Sequence, residues 1–214
     1  LIKILAGAYT KDEGKILFNG EEKNITSPHD SLNLGIKVVY QEISLIPEFT
    51  VGENIFLEKF PINKFGIINW KNLYEECDTL LKNIGFKLDV RDKVANLSIS
   101  EQQIVEIARA IFQNASVVVM DEPTSSLTPK EIEKLFEVID RLKKNNIAII
   151  YITHKIDEIF KIADNVTVLR DGKFISNRDI SDISEEKLIQ DMVGRKVNQK
   201  FERLTGSFSE TQMS

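Results

Sequence analysis

Val117-Val118-Val119-Met120-Asp121-Glu122-Pro123-Thr124 is the stretch on which the fold turns. Four apolar residues, three of them β-branched, read as a strand buried on both faces. Two carboxylates and a proline then end the strand and open a turn. The neighbouring sequence alternates in the way such a strand requires. Downstream, Pro129 to Lys144 carries Ile132, Leu135, Phe136, Ile139 and Leu142 at helical spacing, followed by a strand at Ile147–Thr153. Ile156, Ile159, Phe160 and Ala163 mark another helix before a strand at Val166–Leu169. Upstream, Ser98 to Phe112 reads as a helix, and Ile36-Lys37-Val38-Val39-Tyr40 as a β-branched strand ending at Gln41-Glu42. Alternating buried strands and helices predict an α/β fold with a parallel sheet.

Residues 51–95 break this rhythm with helical patterns alone. Asn69 caps a helix whose face holds Trp70, Leu73, Tyr74, Cys77, Leu80, Leu81 and Ile84. Cys77 sits on that apolar face, so packing rather than redox chemistry is its expected role. The segment reads as an insertion between two parts of the sheet. Ile46, Phe49, Val51, Ile55 and Phe56 fit either a docking surface or core packing. Asn19-Gly20 and Asp171-Gly172 mark hairpin turns, and Ser27-Pro28 starts a short helix. The end, from Asn198 to Ser214, is polar and reads as a linker or disordered tail.

The chain has 214 residues, with 28 Lys+Arg against 33 Asp+Glu, a net charge of −5. Such a balance argues against a generic nucleic-acid binder. One cysteine makes no internal disulfide and fits a reducing compartment. No apolar run approaches the roughly 18–20 residues that span a bilayer, so any work at a membrane would go through a partner.

Ligands of open α/β sheets bind beyond the carboxyl ends of the strands. A carboxylate there, such as Asp121, can hold a hydrated Mg²⁺, and Glu122 can polarise an attacking water, although strands also often end in acidic turn residues. In a parallel sheet Gln41, Asp121, Glu122 and His154 all emerge at one edge. Gln41 can serve as a neutral ligand to metal or water, and His154 can bond to a phosphate or position water. Each alone is an ordinary strand-end residue; the joint placement is what suggests a site.

These residues resemble the ATP-binding cassette family of ATPases over nearly the whole chain. Val38-Val39-Tyr40-Gln41-Glu42 looks like its Q-loop, and Leu97-Ser98-Ile99-Ser100-Glu101-Gln102-Gln103 like its signature. Val117 to Thr124 looks like Walker B, Ser126-Leu127-Thr128 like the D-loop, and Ile152-Thr153-His154 like the switch histidine. The resemblance implies a P-loop NTPase-like sheet with helices on both faces and an inserted α-helical subdomain. It divides the chain into a first part of the ATPase core at 1–49, a helical subdomain at 50–97, the rest of the core at 98–197, and the tail at 198–214. It implies ATP and Mg²⁺ as cofactors, with Glu122, His154 and Gln41 catalytic and Asp121 and Gln41 at the metal. Ser98, Ser100 and Glu101, with Ser126, Leu127 and Thr128, would meet the ATP of a partner cassette.

The segment from Tyr40-Gln41-Glu42 to Val51-Gly52-Glu53-Asn54-Ile55, with Met192-Val193-Gly194-Arg195, resembles the carbohydrate-import branch, in which two cassettes share one polypeptide, and this one looks like the first. That implies a sugar importer's energy-coupling subunit on the cytoplasmic face of the membrane. Its partners would be a second cassette, permease subunits and, indirectly, an external sugar-binding protein, with no nucleic acid. The resemblance also implies a Gly-rich Walker A loop just before Leu1, with Leu1–Gly7 the rest of its helix. The chain from Leu1 is therefore expected to bind ATP poorly on its own. Alternatives are a soluble non-transport ATPase of the same superfamily and a non-hydrolysing interaction domain. The interval from Gln41 to Ser98 is too short for a chromosome-type coiled coil and shows no sustained heptads.

Two departures stand out. Thr128 replaces an aspartate common in the family. Ser100-Glu101 replaces Gly-Gln, which puts a carboxylate at a helix N-terminus that would meet phosphate. Like charges about 4 Å apart at an effective dielectric near 20 repel by about 4 kcal/mol. Alternatively, Ser98-x-x-Glu101 is a capping box that turns the charge back on the helix end; capping is the preferred reading.

Overall fold

The computed structural model describes residues 1–40 and 43–194. Two compact units divide at Ile162 and Ala163.

The first unit is organised on a parallel sheet of β3 (Ile36–Val39), β4 (Val117–Asp121) and β5 (Ala148–Ile152), in that spatial order. Val39, Met120 and Tyr151 share a register position, as do Asp121 and Ile152. Val118, Val119 and Met120 have no exposed surface. Side chains alternate between the faces of a strand, and two apolar layers result. Ile25, Ile36 and Val119 form one, with Ile2, Phe18 and Ile150 packed against it. Val39, Val118 and Met120 enter the other, with Ile104, Val105, Leu135, Ile139 and Leu142.

Local signals set the flanking pieces. A short helix, α1 (Ile2–Leu5), ends ahead of Gly7 at φ +72°. A Cβ there would lie 2.1 Å from the Ser27 carbonyl oxygen, so only glycine fits. β1 (Ile16–Phe18) and β2 (Glu21–Lys23) form the Asn19-Gly20 hairpin, with both turn residues at positive φ. Ser27 and Asp30 make a reciprocal capping box on α2 (Pro28–Asn33).

Between β3 and β4 lie α3 (Val51–Ile55) and α4 (Trp70–Asn83), the latter capped by Asn69 as its sequence predicts. Val51, Ile55 and Phe56 are core residues rather than a docking surface. Phe56 meets Phe112 of α5 (Ile99–Phe112) at 4.0 Å between ring centroids. Cys77 is fully buried on the apolar face of α4, and burial first, with nearby Asp78, pushes its thiol up to about 12. It is a packing residue and not a nucleophile at neutral pH. The loop before α3 is held by buried Asn54. Its side chain accepts from Ile46 N–H at 2.8 Å and donates to the carbonyls of Ile46 and Thr50.

The remaining helices, α6 (Pro129–Lys144) and α7 (Ile156–Ile162), follow β4 and β5. Pro129 at the first turn and buried Leu135, Phe136, Val138, Ile139 and Leu142 account for α6.

The second unit corrects one expectation. The strand placed at Val166–Leu169 does not extend the parallel series among the described residues. β6 (Asn165–Arg170) instead pairs antiparallel with β7 (Lys173–Asp179). The two-residue Asp171-Gly172 turn, both residues at positive φ, permits only an antiparallel return. α8 (Glu185–Val193) is pinned by buried Asp191, whose carboxylate accepts from Ser176 at 2.9 Å and Lys187 at 2.6 Å.

Candidate functional site

The parallel register carries Asp121 and Glu122 to the carboxyl edge of the sheet beside the residues that follow β5. The Glu122 N–H donates to the Ile152 carbonyl at 2.9 Å. This extends the β4–β5 pairing one residue past the strand. Glu122 then takes a left-handed backbone, at φ +45°. The other described non-glycine residues with positive φ are Asn19, Asn114, Asn146 and Asp171. Asn and Asp tolerate this region because their short polar side chains bond locally; glutamate has no such help. Strain of this kind, of order 1–3 kcal/mol, persists where surrounding structure enforces it and clusters at functional sites. Its consequence here is to aim the carboxylate across the gap to the next strand end. The His154 Nδ1–H donates to Glu122 Oε1 at 3.0 Å. The imidazole is 70% exposed and the carboxylate 36%, so the pair faces solvent while its backbone is anchored.

Asp121 lies at the last register position of β4 and is half-buried. Its hard oxygen donors suit Mg²⁺, which takes one or two carboxylates and otherwise prefers water and phosphate oxygens. Among the described residues no group of three or more acidic, His or Cys side chains forms a protein-only metal cage. A single aspartate is what a phosphate-shared Mg²⁺ needs. Gln41 lies outside the described residues.

The signature-like residues form a second cluster. Ser98 caps α5, and the Glu101 carboxylate accepts from the Ser98 N–H at 2.9 Å and its hydroxyl at 2.8 Å. The capping reading of Glu101 holds. Ser100 donates at 2.6 Å to Glu131, whose other oxygen accepts from the N–H and hydroxyl of Thr128. The Ser100 hydroxyl first, and then Thr128, hold the Glu131 carboxyl below the usual carboxylate range. Ser98, Ser100 and Glu101 are thereby joined to the segment of Ser126, Leu127 and Thr128, with Glu131 as the link. Among the described residues no hydrogen bond or ion pair joins this cluster to Glu122 or His154.

Sequence reasoning missed Glu131, although Thr128-x-x-Glu131 has capping spacing. It also missed Glu106, a buried carboxylate in α5 that accepts from both the N–H and hydroxyl of Ser44, at 2.7 and 2.8 Å. Arg109 completes that triad through the Ser44 hydroxyl at 2.7 Å. Ser44 is thus tied to α5. Beside it a cavity of about 340 Å³ is lined by Lys37, Ser44, Glu58, Glu106 and Arg109, among others. Burial first lowers the Lys37 ammonium from its usual range, which Glu58 opposes and Arg109 reinforces.

The sequence model of the family described as ABC transporter matches residues 1–125, more than half of the chain. The chain belongs to the ABC transporter family. Solved cassettes share its fold. MJ1267, an ATP-binding cassette of an ABC transporter in its ADP conformation, is 24% identical, with TM-score 0.74 over 91% of this chain and 82% of that one. cbiO1 from Clostridium perfringens, part of the ABC transporter complex cbiONQ, is 24% identical, with TM-score 0.71 over 94% and 78%. The dimeric post-hydrolysis cassette MJ0796, bound to ADP and Pi, is 21% identical, with TM-score 0.66 over 84% and 78%. The cassette is α/β, with a parallel sheet and a P-loop NTPase fold. Among its described residues no helix is long and apolar enough to cross a membrane.

Proposed function

We propose that this cassette hydrolyses ATP to drive uptake of a monosaccharide, working against permease subunits at the cytoplasmic face of the membrane. The observation that carries the reading is the Glu122–His154 pair at the carboxyl edge of the sheet. Glu122 is the base that polarises the attacking water, and His154 orients its carboxylate by donating from Nδ1. Asp121 would hold Mg²⁺ together with phosphate oxygens and water, and the ion would offset phosphate charge. Gln41, by its resemblance to the Q-loop, is assigned as the sensor of that site.

A second cassette supplies the other half of each composite site, as the dimeric state of MJ0796 suggests by likeness. In that arrangement Ser98 and Ser100 face the partner's ATP, with Ser126, Leu127 and Thr128 beside them. Residues 50–97 act as the helical subdomain that moves against the permease, since α3 and the loop held by Asn54 pack on α5. The sugar assignment is supported by the branch-like residues at 40–42, 51–55 and 192–195. The test is reconstitution with the permease subunits in proteoliposomes. ATP-dependent accumulation of a labelled monosaccharide supports the reading; turnover with no sugar uptake removes the sugar assignment.

The signature cluster gives a separate expectation. Two carboxylates, Glu101 and Glu131, stand at an α5 N-terminus assigned to phosphate. Ser100→Gly releases Glu131, and Glu101→Gln keeps the cap while removing its charge. Charge at a helix end is worth about 0.3–1 kcal/mol, so the double variant should raise ATPase turnover about twofold to fivefold. Steady-state turnover of the assembled transporter checks this, and an unchanged or lower rate counts against it.

A further inference from the structure

Glu158 lies on α7, one turn past His154, and is almost wholly buried. An isolated buried carboxylate is costly, yet this one is surrounded by donors. Its Oε1 accepts from the Thr124 hydroxyl at 2.6 Å and from the Lys155 ammonium at 3.3 Å. Its Oε2 accepts from the Tyr151 hydroxyl at 2.8 Å and the Thr153 hydroxyl at 3.2 Å. Lys155 closes the ring by donating to the Thr124 carbonyl at 3.0 Å. Burial raises the Glu158 carboxyl, but the bonds from Thr124, Tyr151 and Lys155 outweigh it and leave the group below its usual range. Burial, and next the bond to Glu158, push the Tyr151 phenol up, so it stays a donor.

The donors come from two places in the chain. Thr124 follows Glu122 by two residues, in the turn after β4. Thr153 immediately precedes His154, in the turn after β5. The two turns are otherwise joined near the site by the Lys155 ammonium on the Thr124 carbonyl and hydroxyl, by the Glu122 N–H bond to Ile152 and by the solvent-facing Glu122–His154 contact itself. We infer that Glu158 is a positioning residue: through Thr124 and Thr153 it locks the turns that carry Glu122 and His154 into one geometry. It touches neither ligand nor reacting atoms. The inference rests on the reading that Glu122 and His154 act on the attacking water.

The test compares Glu158→Gln, Thr124→Val and Thr124→Ser with Glu122→Gln in the assembled transporter. Thr124→Val removes the hydroxyl and keeps the shape, whereas Thr124→Ser keeps the donor. A misplacement near 1 Å costs about a hundredfold in rate. Glu158→Gln and Thr124→Val should therefore lower kcat about tenfold to a hundredfold, with the KM for ATP within about twofold. Thr124→Ser should retain most of the turnover. The chain has two histidines, so the His154 ring signal can be assigned by NMR from its loss in His154→Ala. That signal should shift in Glu158→Gln and Thr124→Val, but not in Thr124→Ser. Unchanged kcat in Glu158→Gln and Thr124→Val, with Glu122→Gln inactive, overturns the positioning role alone. Equal loss in Thr124→Ser with a lowered melting temperature reduces Glu158 to a structural part and also overturns it. Full turnover in Glu122→Gln overturns the catalytic reading beneath it.

Discussion

Glu122→Gln should lower ATP turnover of the assembled transporter by about 10²- to 10⁴-fold, the range in which a positioned general base contributes. Gln is nearly the same size and still accepts from His154 Nδ1–H through its amide oxygen, so the 3.0 Å contact has a successor. What disappears is the basic oxygen. Because the backbone N–H bond to Ile152 is untouched, the turn should keep its form. The KM for ATP should then change little while kcat collapses, the pattern of an interaction made in the transition state. Steady-state kinetics decide the matter. A variant retaining more than about a tenth of wild-type kcat would remove Glu122 from the role of base.

Phe56→Ala should destabilise the first unit by about 3–5 kcal/mol. The ring is 1% exposed and packs on Phe112 at 4.0 Å and 39° between planes. Its removal costs the transfer free energy of the ring and leaves a cavity that helices α3 and α5 close only in part. Loss of the aromatic pair adds about 0.5–1.5 kcal/mol to the burial effect. Each kcal/mol shifts Tm by roughly 2–4 °C in a chain of this size, so a fall of about 6–20 °C is expected. Urea unfolding followed by circular dichroism measures it. A loss below about 1 kcal/mol would mean that the space is refilled and that Phe56 is not the link between the inserted helices and α5. The same substitution should weaken coupling before chemistry, since it loosens 50–97 and leaves Glu122 alone.

Much of this architecture is written in short-range spacing. The strand at 117–121, the period of α6, the Ser27 and Ser98 caps and the Asn19-Gly20 turn each follow from residues fewer than five apart. The edge position of Asp121, Glu122 and His154 follows from a parallel sheet with strands of similar length. The capping of Glu101 was legible for the same reason, because both partners lie in one helical turn. The hairpin at 165–179 shows how the same signal can be under-read. Asp171-Gly172 names a turn, and a turn that tight dictates antiparallel pairing for the strand before it.

Other features depend on which elements pack together, and no local pattern encodes that. Glu106 interrupts an apolar run in α5 and gives no hint that Ser44, 62 residues earlier, supplies its donors. Ser100 and Glu131 are 31 residues apart, and Glu158 and Thr124 are 34 apart. Each is a buried or half-buried carboxylate that must find hydrogen-bond donors when packing removes water. Which donors it finds is set by strand register and helix contacts across the sheet. The positive φ of Glu122 is of this kind as well: glutamate does not choose that conformation, and the pairing of β4 with β5 imposes it. Amino-acid order thus set the strands, helices, caps and the edge on which chemistry stands. Tertiary packing chose the partners that hold Glu122 against His154, because burial makes distant groups satisfy one another.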